Sequence, residues 1–349
     1  MKKLALFGGA PLRQKPFPAY PVYGWEEEEA VVRVVRSNAL CAQVGHEVEL
    51  FEKEYAAYHD VPNAVAVTNG TIALHIALAA AGVGVGDEVI VPPYTWLSTG
   101  SAVIMQNAIP VFADIEPDSI GLDPDAVVKK ITPCTKAIIT VHVNGYPCDM
   151  DGLLKLAAER NLILIEDCAH AHGAEYHGKK VGTLGQFGCF SFQHKKNLSL
   201  GEGGMVITSN TELAGRLKAL RSFEYPNINY NYRLPELQAA IGRVRLQKLD
   251  QMNEARRKNA AVLDRELKGI RGLIPQQVRE NCMGVFYNYA IKYSEKELGV
   301  PRDRFIEAAV AEGIGSIGFY RPINNDPIFK LQDAFGHGCP FRCPLYKGT

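Results

Sequence analysis

The residues that could do chemistry in this chain begin with a lysine pair in the segment Phe190-Ser191-Phe192-Gln193-His194-Lys195-Lys196-Asn197-Leu198-Ser199-Leu200-Gly201-Glu202-Gly203-Gly204. A lysine amine is a nucleophile toward an aldehyde only when desolvation or neighbouring positive charge lowers its pKa. In extended chain, adjacent side chains point to opposite faces, so only one of the two lysines can face a given site. A solvated surface turn carrying both is the competing reading, since charged residues are mostly exposed.

Two further places supply partners for such an amine. Asn69-Gly70-Thr71 joins an apolar run to a helical pattern starting at Ile72. Free amides at a helix start, with a glycine allowing close approach, suit a phosphate, although an ordinary Asn cap would read the same way. The run Leu162-Ile-Leu-Ile-Glu166-Asp167 ends in two acids ahead of Cys168-Ala169-His170-Ala171-His172-Gly173. Acids at the carboxyl end of a buried parallel strand face the ligand crevice of α/β sheets, and alternation sends Glu166 and Asp167 to opposite sides. Asp167 could then hold a protonated ring nitrogen. With Trp96 as an aromatic surface, these groups fit pyridoxal phosphate. His170 and His172 are only two residues apart and lack further zinc-ligand spacing. Cys339-Pro-Phe-Arg-Cys343, with His337 before it, has no second ligand pair either, so no metal is expected.

The elements that must position these groups follow from pattern. Seven short, mostly apolar runs, at 64–68, 88–92, 110–115, 137–142, 162–167, 187–193 and 204–209, alternate with helical stretches such as 71–81 and 150–160. This alternation predicts an α/β fold with a mostly parallel seven-stranded sheet, crossover helices flanking it and strands buried on both faces. Asp149 or Asp151 is available to cap the second helix and Asn161 to stop it. Gly82-Val-Gly-Val-Gly86 precedes a strand instead of following one, so it reads as a turn and not a dinucleotide fingerprint. A long charged helix at 234–267 would bridge to a second unit, with strand signals at 284–293 and a helix at 302–312. The expected organisation is a large cofactor-binding domain at 1–250 and a small α+β domain at 251–349. No repeat or low-complexity segment is present.

Composition excludes several classes. The 349 residues are 47% hydrophobic, and 38 basic residues balance 38 acidic ones, so no global field recruits nucleic acid or an anionic membrane. No apolar run reaches membrane-spanning length, and the start breaks at Gly8-Gly9 too early for a secretory signal, so a cytoplasmic location is expected. The eight scattered cysteines read as reduced residues.

Thr68-Asn-Gly-Thr71, Gly86-Asp-Glu-Val-Ile-Val-Pro92 with Tyr94-Thr-Trp96, Glu166-Asp-Cys-Ala-His-Ala-His-Gly173, the lysine segment and Asn231-Tyr-Arg233 occur in this order. In this the chain resembles the DegT/DnrJ/StrS family of fold type I aminotransferases, from about Leu4 to Gly242. The resemblance implies a pyridoxal 5′-phosphate enzyme that moves an amino group from glutamate or glutamine to a nucleotide-linked keto sugar or a keto cyclitol. It selects Lys196, five positions after Ser191, as the Schiff-base lysine and proton carrier. It places Gly70, Thr71 and Ser191 on the cofactor phosphate, Trp96 on the ring face, Asp167 on the ring nitrogen and His170 near the ring hydroxyl. Asn231 would reach the phosphate of a neighbouring subunit, implying a homodimer with shared sites. Relatives of this kind usually continue beyond Tyr346-Lys-Gly-Thr349, so the small domain looks truncated. Asn69 stands where serine is common. Two other readings accompany this one: an aromatizing lyase similar to aminohydroxybenzoate synthase, which shares the Ala-His-Ala-His-Gly run, and a cofactor-binding sensor without turnover. Sugar dehydratases of the family carry histidine at the lysine position, and Lys196 argues against them.

Overall fold

The computed structural model describes residues 3–223, 229–315 and 317–348. All seven apolar runs are strands of one sheet: β1 (Asn63–Val67), β2 (Glu88–Val91), β3 (Ile109–Phe112), β4 (Thr135–Val141), β5 (Ile163–Asp167), β6 (Phe187–Ser191) and β7 (Gly204–Thr208). Their spatial order is β1-β7-β6-β5-β4-β2-β3. From β3 through β6 every pairing is parallel, whereas β7 runs antiparallel to both β6 and β1. The expected mostly parallel seven-stranded sheet is therefore present, and β7 is the strand that departs from parallel pairing. The twelve residues between β6 and β7 contain no helix to carry the chain back across the sheet, so it returns beside the strand it has just left.

Alternate residues of each strand enter two cores. Ile138 and Leu164 pack with Phe51, Phe190 and Leu249 on one face, while Ile139 and Ile165 pack with Ile76, Val89 and Phe187 on the other. Both faces are dry, which is why the strands read as continuous apolar runs. Helices α1 (Trp25–Ser37) and α2 (Glu47–Tyr58) precede the sheet. Helix α3 (Gly70–Ala80) is apolar on nearly all sides and lies buried beneath the sheet, with α4 (Ser98–Met105) against it.

Helix α5 (Pro124–Val128) is short, and α6 (Met150–Arg160) starts where Asp149 accepts the Gly152 amide and stops at Asn161, whose φ is 52°. Left-handed backbone of this kind is what asparagine tolerates at a helix end. After α7 (Thr211–Arg221), α8 runs unbroken from Glu236 to Leu267, through residues 250 and 251. Helices α1 and α2 pack along it, and its Glu236 carboxylate accepts the first amides of α2 from Glu47 (2.5 Å) and Val48 (3.2 Å).

Beyond α8, Leu273–Pro275 pairs with Ile291–Tyr293, Cys282–Met283 pairs with Glu175–Tyr176, and a helix covers Arg302–Ala311. Only the end of the 284–293 strand signal is a strand. Residues 284–288 are held instead by a turn of the sheet's crevice, with the Val285 amide on the Gly145 carbonyl (2.9 Å) and the Asn288 amide on the Asn144 carbonyl (3.3 Å). All eight cysteines are free thiols, and among the described residues no helix is long and apolar enough to cross a membrane.

Candidate active site

The lysine pair lies in a turn between β6 and β7, not in extended chain. The Lys196 amide donates to the Gln193 carbonyl (2.8 Å) and the Lys195 amide to the Gln193 side chain (2.9 Å). The turn sends Lys195 to solvent and turns Lys196 inward. Burial lowers the Lys196 pKa to about 8, and the nearby Asp167 carboxylate opposes that fall. Lys196 is anchored from behind by Asn197, whose amide donates to Asn253 Oδ1 on α8 and to the Val285 carbonyl, both at 3.1 Å. Tyr20 adds a hydroxyl on the Lys196 carbonyl (2.8 Å).

Strand alternation separates the two acids as expected. Glu166 belongs to the α2 and α8 face, where it accepts from the amides of Gly182 (2.7 Å), Leu184 (2.8 Å) and Gly185 (2.7 Å) and lies 2.9 Å from His142 Nε2. Asp167 projects to the α3 and α4 face. Its Oδ1 accepts from the Ala169 amide (3.1 Å) and its Oδ2 from the Thr99 hydroxyl (2.9 Å), which itself lies 2.9 Å from the Thr95 hydroxyl. Burial raises the Asp167 pKa, and the Ala169 amide, Thr99 and Lys196 work against the rise. Thr99 carries no signal in sequence, because its role depends on α4 being laid across the end of β5.

Both readings of the Asn69 turn hold at once. Asn69 Oδ1 accepts the Ile72 amide (2.9 Å), capping α3, while the amides of Gly70 and Thr71 precede the first intrahelical bond. The chain of Gly70 passes so close to Ser191 that a Cβ there would stand 2.5 Å from Ser191 Cβ and 3.0 Å from its Oγ. Thr71 Oγ1 donates to Ser98 Oγ (2.8 Å). Two hydroxyls and a helix start thus converge beside the end of β6, a cradle for an oxyanion.

His170 is buried, and burial with the Lys196 charge holds its pKa well below the usual histidine range. Its Nδ1 accepts the Asn144 amide (3.3 Å), which leaves the proton of the neutral ring on Nε2. Tyr287 stacks on this ring at 4.1 Å and 15°, and Tyr320 lies parallel at 6.1 Å. Tyr287 also lies under the Lys196 amine, with Nζ 4.6 Å from the ring centre. His172 is structural, its two nitrogens 3.0 Å from the Tyr55 hydroxyl and 2.8 Å from the Ser191 carbonyl.

Two expected site residues stand apart. Trp96 is 61% exposed just before α4, with its ring edge-on to Tyr320 at 6.5 Å between ring centres. Asn231 is exposed on a backbone bridge to Ser222, next to residues 224–228, which lie outside the described residues. Neither Cys339 nor Cys343 joins a ligand cluster among the described residues; His142, Glu166 and Cys168 have donor atoms within 4.8 Å of one another. Glu166 is already taken up by three amides and His142, and His142 Nδ1 by the Cys148 amide (3.2 Å), so this group holds the 182–185 loop.

The arrangement is a desolvated amine, a buried carboxylate, a neutral imidazole and an oxyanion cradle around one crevice at the carboxyl ends of β4, β5 and β6. Comparison with known proteins gives the family. Residues 22–340 match the DegT/DnrJ/EryC1/StrS aminotransferase family. The chain is 40% identical to L-glutamine:2-deoxy-scyllo-inosose aminotransferase of Streptomyces fradiae, over 94% of this chain and 84% of that one. The enzyme of the same name from Streptomyces kanamyceticus is 38% identical, over 94% and 82%. Among solved structures, S. venezuelae DesV in complex with a ketimine intermediate superposes with a TM-score of 0.83 at 36% identity, covering 88% of this chain and 83% of its own. 3-Amino-5-hydroxybenzoic acid synthase does so at 0.85 and 34%, covering 91% and 85%. A crevice of this composition on this sheet, matched along nearly the whole chain, places the protein in the DegT/DnrJ/EryC1/StrS aminotransferase family.

Proposed function

We propose that this aminotransferase uses pyridoxal 5′-phosphate to move an amino group from L-glutamine, or glutamate, to the ketone of a cyclitol. The observation that carries the cofactor is the Lys196 amine with a pKa of about 8, facing the buried Asp167 across from the Gly70 cradle. The residues present fit that group. Gly70, Thr71 and Ser191 would hold its phosphate, Asp167 its ring nitrogen and His170, with its proton on Nε2, its ring hydroxyl. Trp96, exposed beside the crevice, would face the ring from its solvent side. When bound, the cofactor acts as an electron sink for the carbon that loses or gains a proton.

The chain's own groups do the rest. With a pKa of about 8, about a tenth of the Lys196 amine is unprotonated at pH 7, against roughly three in ten thousand for an ordinary lysine. Lys196 can therefore attack a carbonyl carbon and afterwards carry a proton at Nζ. Asp167, kept from turning by the Ala169 amide and Thr99, would hold the proton on the ring nitrogen. His170 stays neutral and so donates without adding charge to the pocket.

The choice of a cyclitol over a nucleotide-linked sugar is supported by the relatives at 36–40% identity that act on scyllo-inosose derivatives. Asn231, exposed on its own subunit, is assigned to the phosphate of a second copy, which makes a homodimer the working unit. The division into a large domain at 1–250 and a small one at 251–349 belongs to the same proposal.

The test follows the two half-reactions separately by the colour of the bound cofactor. L-Glutamine should discharge the visible absorbance, and a keto cyclitol should restore it with formation of the amino cyclitol. Restoration only by a nucleotide-linked keto sugar would replace the acceptor. Conversion of an aminodehydroquinate-like compound to an aromatic product would favour the lyase reading suggested by 3-amino-5-hydroxybenzoic acid synthase. Cofactor binding without conversion by any amino donor would favour a sensor.

A further inference from the structure

We propose that Tyr287 is the seat of the free Lys196 amine, its ring face holding the ammonium in place whenever the lysine is not bonded to the cofactor. The inference rests on the reading of Lys196 as the reactive lysine. It concerns a residue from the far end of the chain that the sequence did not single out.

Lys196 Nζ lies 4.6 Å from the centre of the Tyr287 ring, within the range in which a cation is attracted to an aromatic face. The ring cannot swing away easily. The His170 imidazole is stacked on it at 4.1 Å and 15°. Its backbone is tied on either side by the Val285 amide on Gly145 (2.9 Å) and by Asn288, whose amide and side chain both donate to Asn144 (3.3 and 3.1 Å). Asn197, the residue after the lysine, donates to the Val285 carbonyl (3.1 Å), so the lysine turn and the tyrosine segment are bonded to each other directly.

The other groups facing the amine leave this role open. Among the described residues Asp167 is the acid acting on it, and its carboxylate is assigned to the cofactor's ring nitrogen. His170 and His172 are both neutral through burial. The Tyr20 hydroxyl is engaged with the Lys196 carbonyl, and Lys195 points to solvent. The π face of Tyr287 is then the electron-rich surface available to a protonated lysine that must stay within reach of the reacting carbons.

This seat has a signature opposite in sign to that of simple packing. If the ring attracts the ammonium, replacing it by an aliphatic side chain of similar bulk destabilises the charged form and lowers the lysine's titration midpoint. If the ring only excludes water, its removal hydrates the amine and raises the midpoint. The experiment uses the full-length chain freed of cofactor. Acylation of Lys196 by an amine-selective reagent is followed by peptide mass spectrometry from pH 6 to pH 10. The expected midpoint is about 8 for the unmodified protein. Tyr287→Phe, which keeps the ring, should stay within a few tenths of a unit. Tyr287→Leu and Tyr287→Met should each fall by about half a unit to one and a half units. Tyr287→Trp should rise. A midpoint that is unchanged or higher in the leucine or methionine variant, in protein that melts like the parent, overturns the proposal; if one aliphatic variant does not fold, the other and the tryptophan variant decide by the same criterion. The underlying reading fails differently, through Lys196→Ala protein that still binds cofactor covalently and transfers amino groups.

Discussion

Replacing Thr99 by valine keeps the volume of a fully buried side chain and removes the hydroxyl that donates to Asp167 Oδ2 at 2.9 Å. A hydrogen bond to a buried charged group contributes about 1.5–3 kcal/mol, and a neutral one about 0.5–1.5 kcal/mol. The loss therefore depends on whether Asp167 is ionised. Burial raises its native pKa above the ordinary carboxylate value, so the folded chain binds this proton more tightly than the unfolded chain. Stability contributed at this site is greatest at low pH, declines as pH rises above the unfolded pKa, and levels off above the native one. Removing Thr99 takes away a bond that favours the ionised carboxylate and so raises the native pKa further, which prolongs the decline. The gap between parent and Thr99→Val in cofactor-free protein should then be about 1 kcal/mol at acid pH and widen to about 1.5–3 kcal/mol at neutral pH and above. Urea denaturation across a pH series measures it, with Thr99→Ser expected to recover most of the loss. A gap that stays constant across the series, or a serine variant no better than valine, refutes the idea that Thr99 acts on the Asp167 carboxylate.

Two further outcomes are expected. Gly70→Ala drives a methyl into Ser191, 2.5 Å from its Cβ; overpacking of this kind costs about 1–3 kcal/mol, and the displaced cradle should weaken pyridoxal phosphate binding by more than about tenfold, roughly 1.4 kcal/mol, measured by thermal melting and by equilibrium dialysis. Burial depresses His59 to about 4 and His172 to about 3, and His170 lies well below the usual range. The unfolded chain takes up these protons first, so their contribution is complete above the unfolded pKa near 6.5 and is lost as pH falls below it, at up to about 4 kcal/mol per pH unit for three protons. His142 and Asp167, whose pKa values are raised, act in the opposite direction, so the test is a difference. His59→Gln should lessen the loss of stability between pH 7 and pH 5 in denaturant titrations, and a variant profile parallel to the parent's would mean that His59 is not held neutral.

How far this was legible in sequence varied with how local the information was. The seven strands were readable because a sheet dry on both faces needs uninterrupted apolar runs, and Glu166 and Asp167 because alternation is a property of the strand itself. The direction of β7 was not, since it is set by a helix-free return that leaves no mark in the strand. Periodicity left Lys195 and Lys196 equivalent, and the turn that separates them depends on Gln193 and on Asn197 finding Asn253 some fifty residues later. Thr99 and Tyr287 were invisible for the same reason: each acquires its role from a neighbour on another element, Asp167 in one case and Lys196 with His170 in the other. The 284–288 segment carries strand-like residues yet is drawn into the crevice by Asn144 and Gly145.

The account turns on Lys196, and adjacent lysines provide their own control. Borohydride reduction of the cofactor-loaded protein, followed by peptide mapping, should place the cofactor on Lys196. Lys196→Ala should abolish that label, the visible absorbance and amino transfer together, while Lys195→Ala should leave all three. A label on Lys195, or amino transfer that survives in Lys196→Ala, would contradict it.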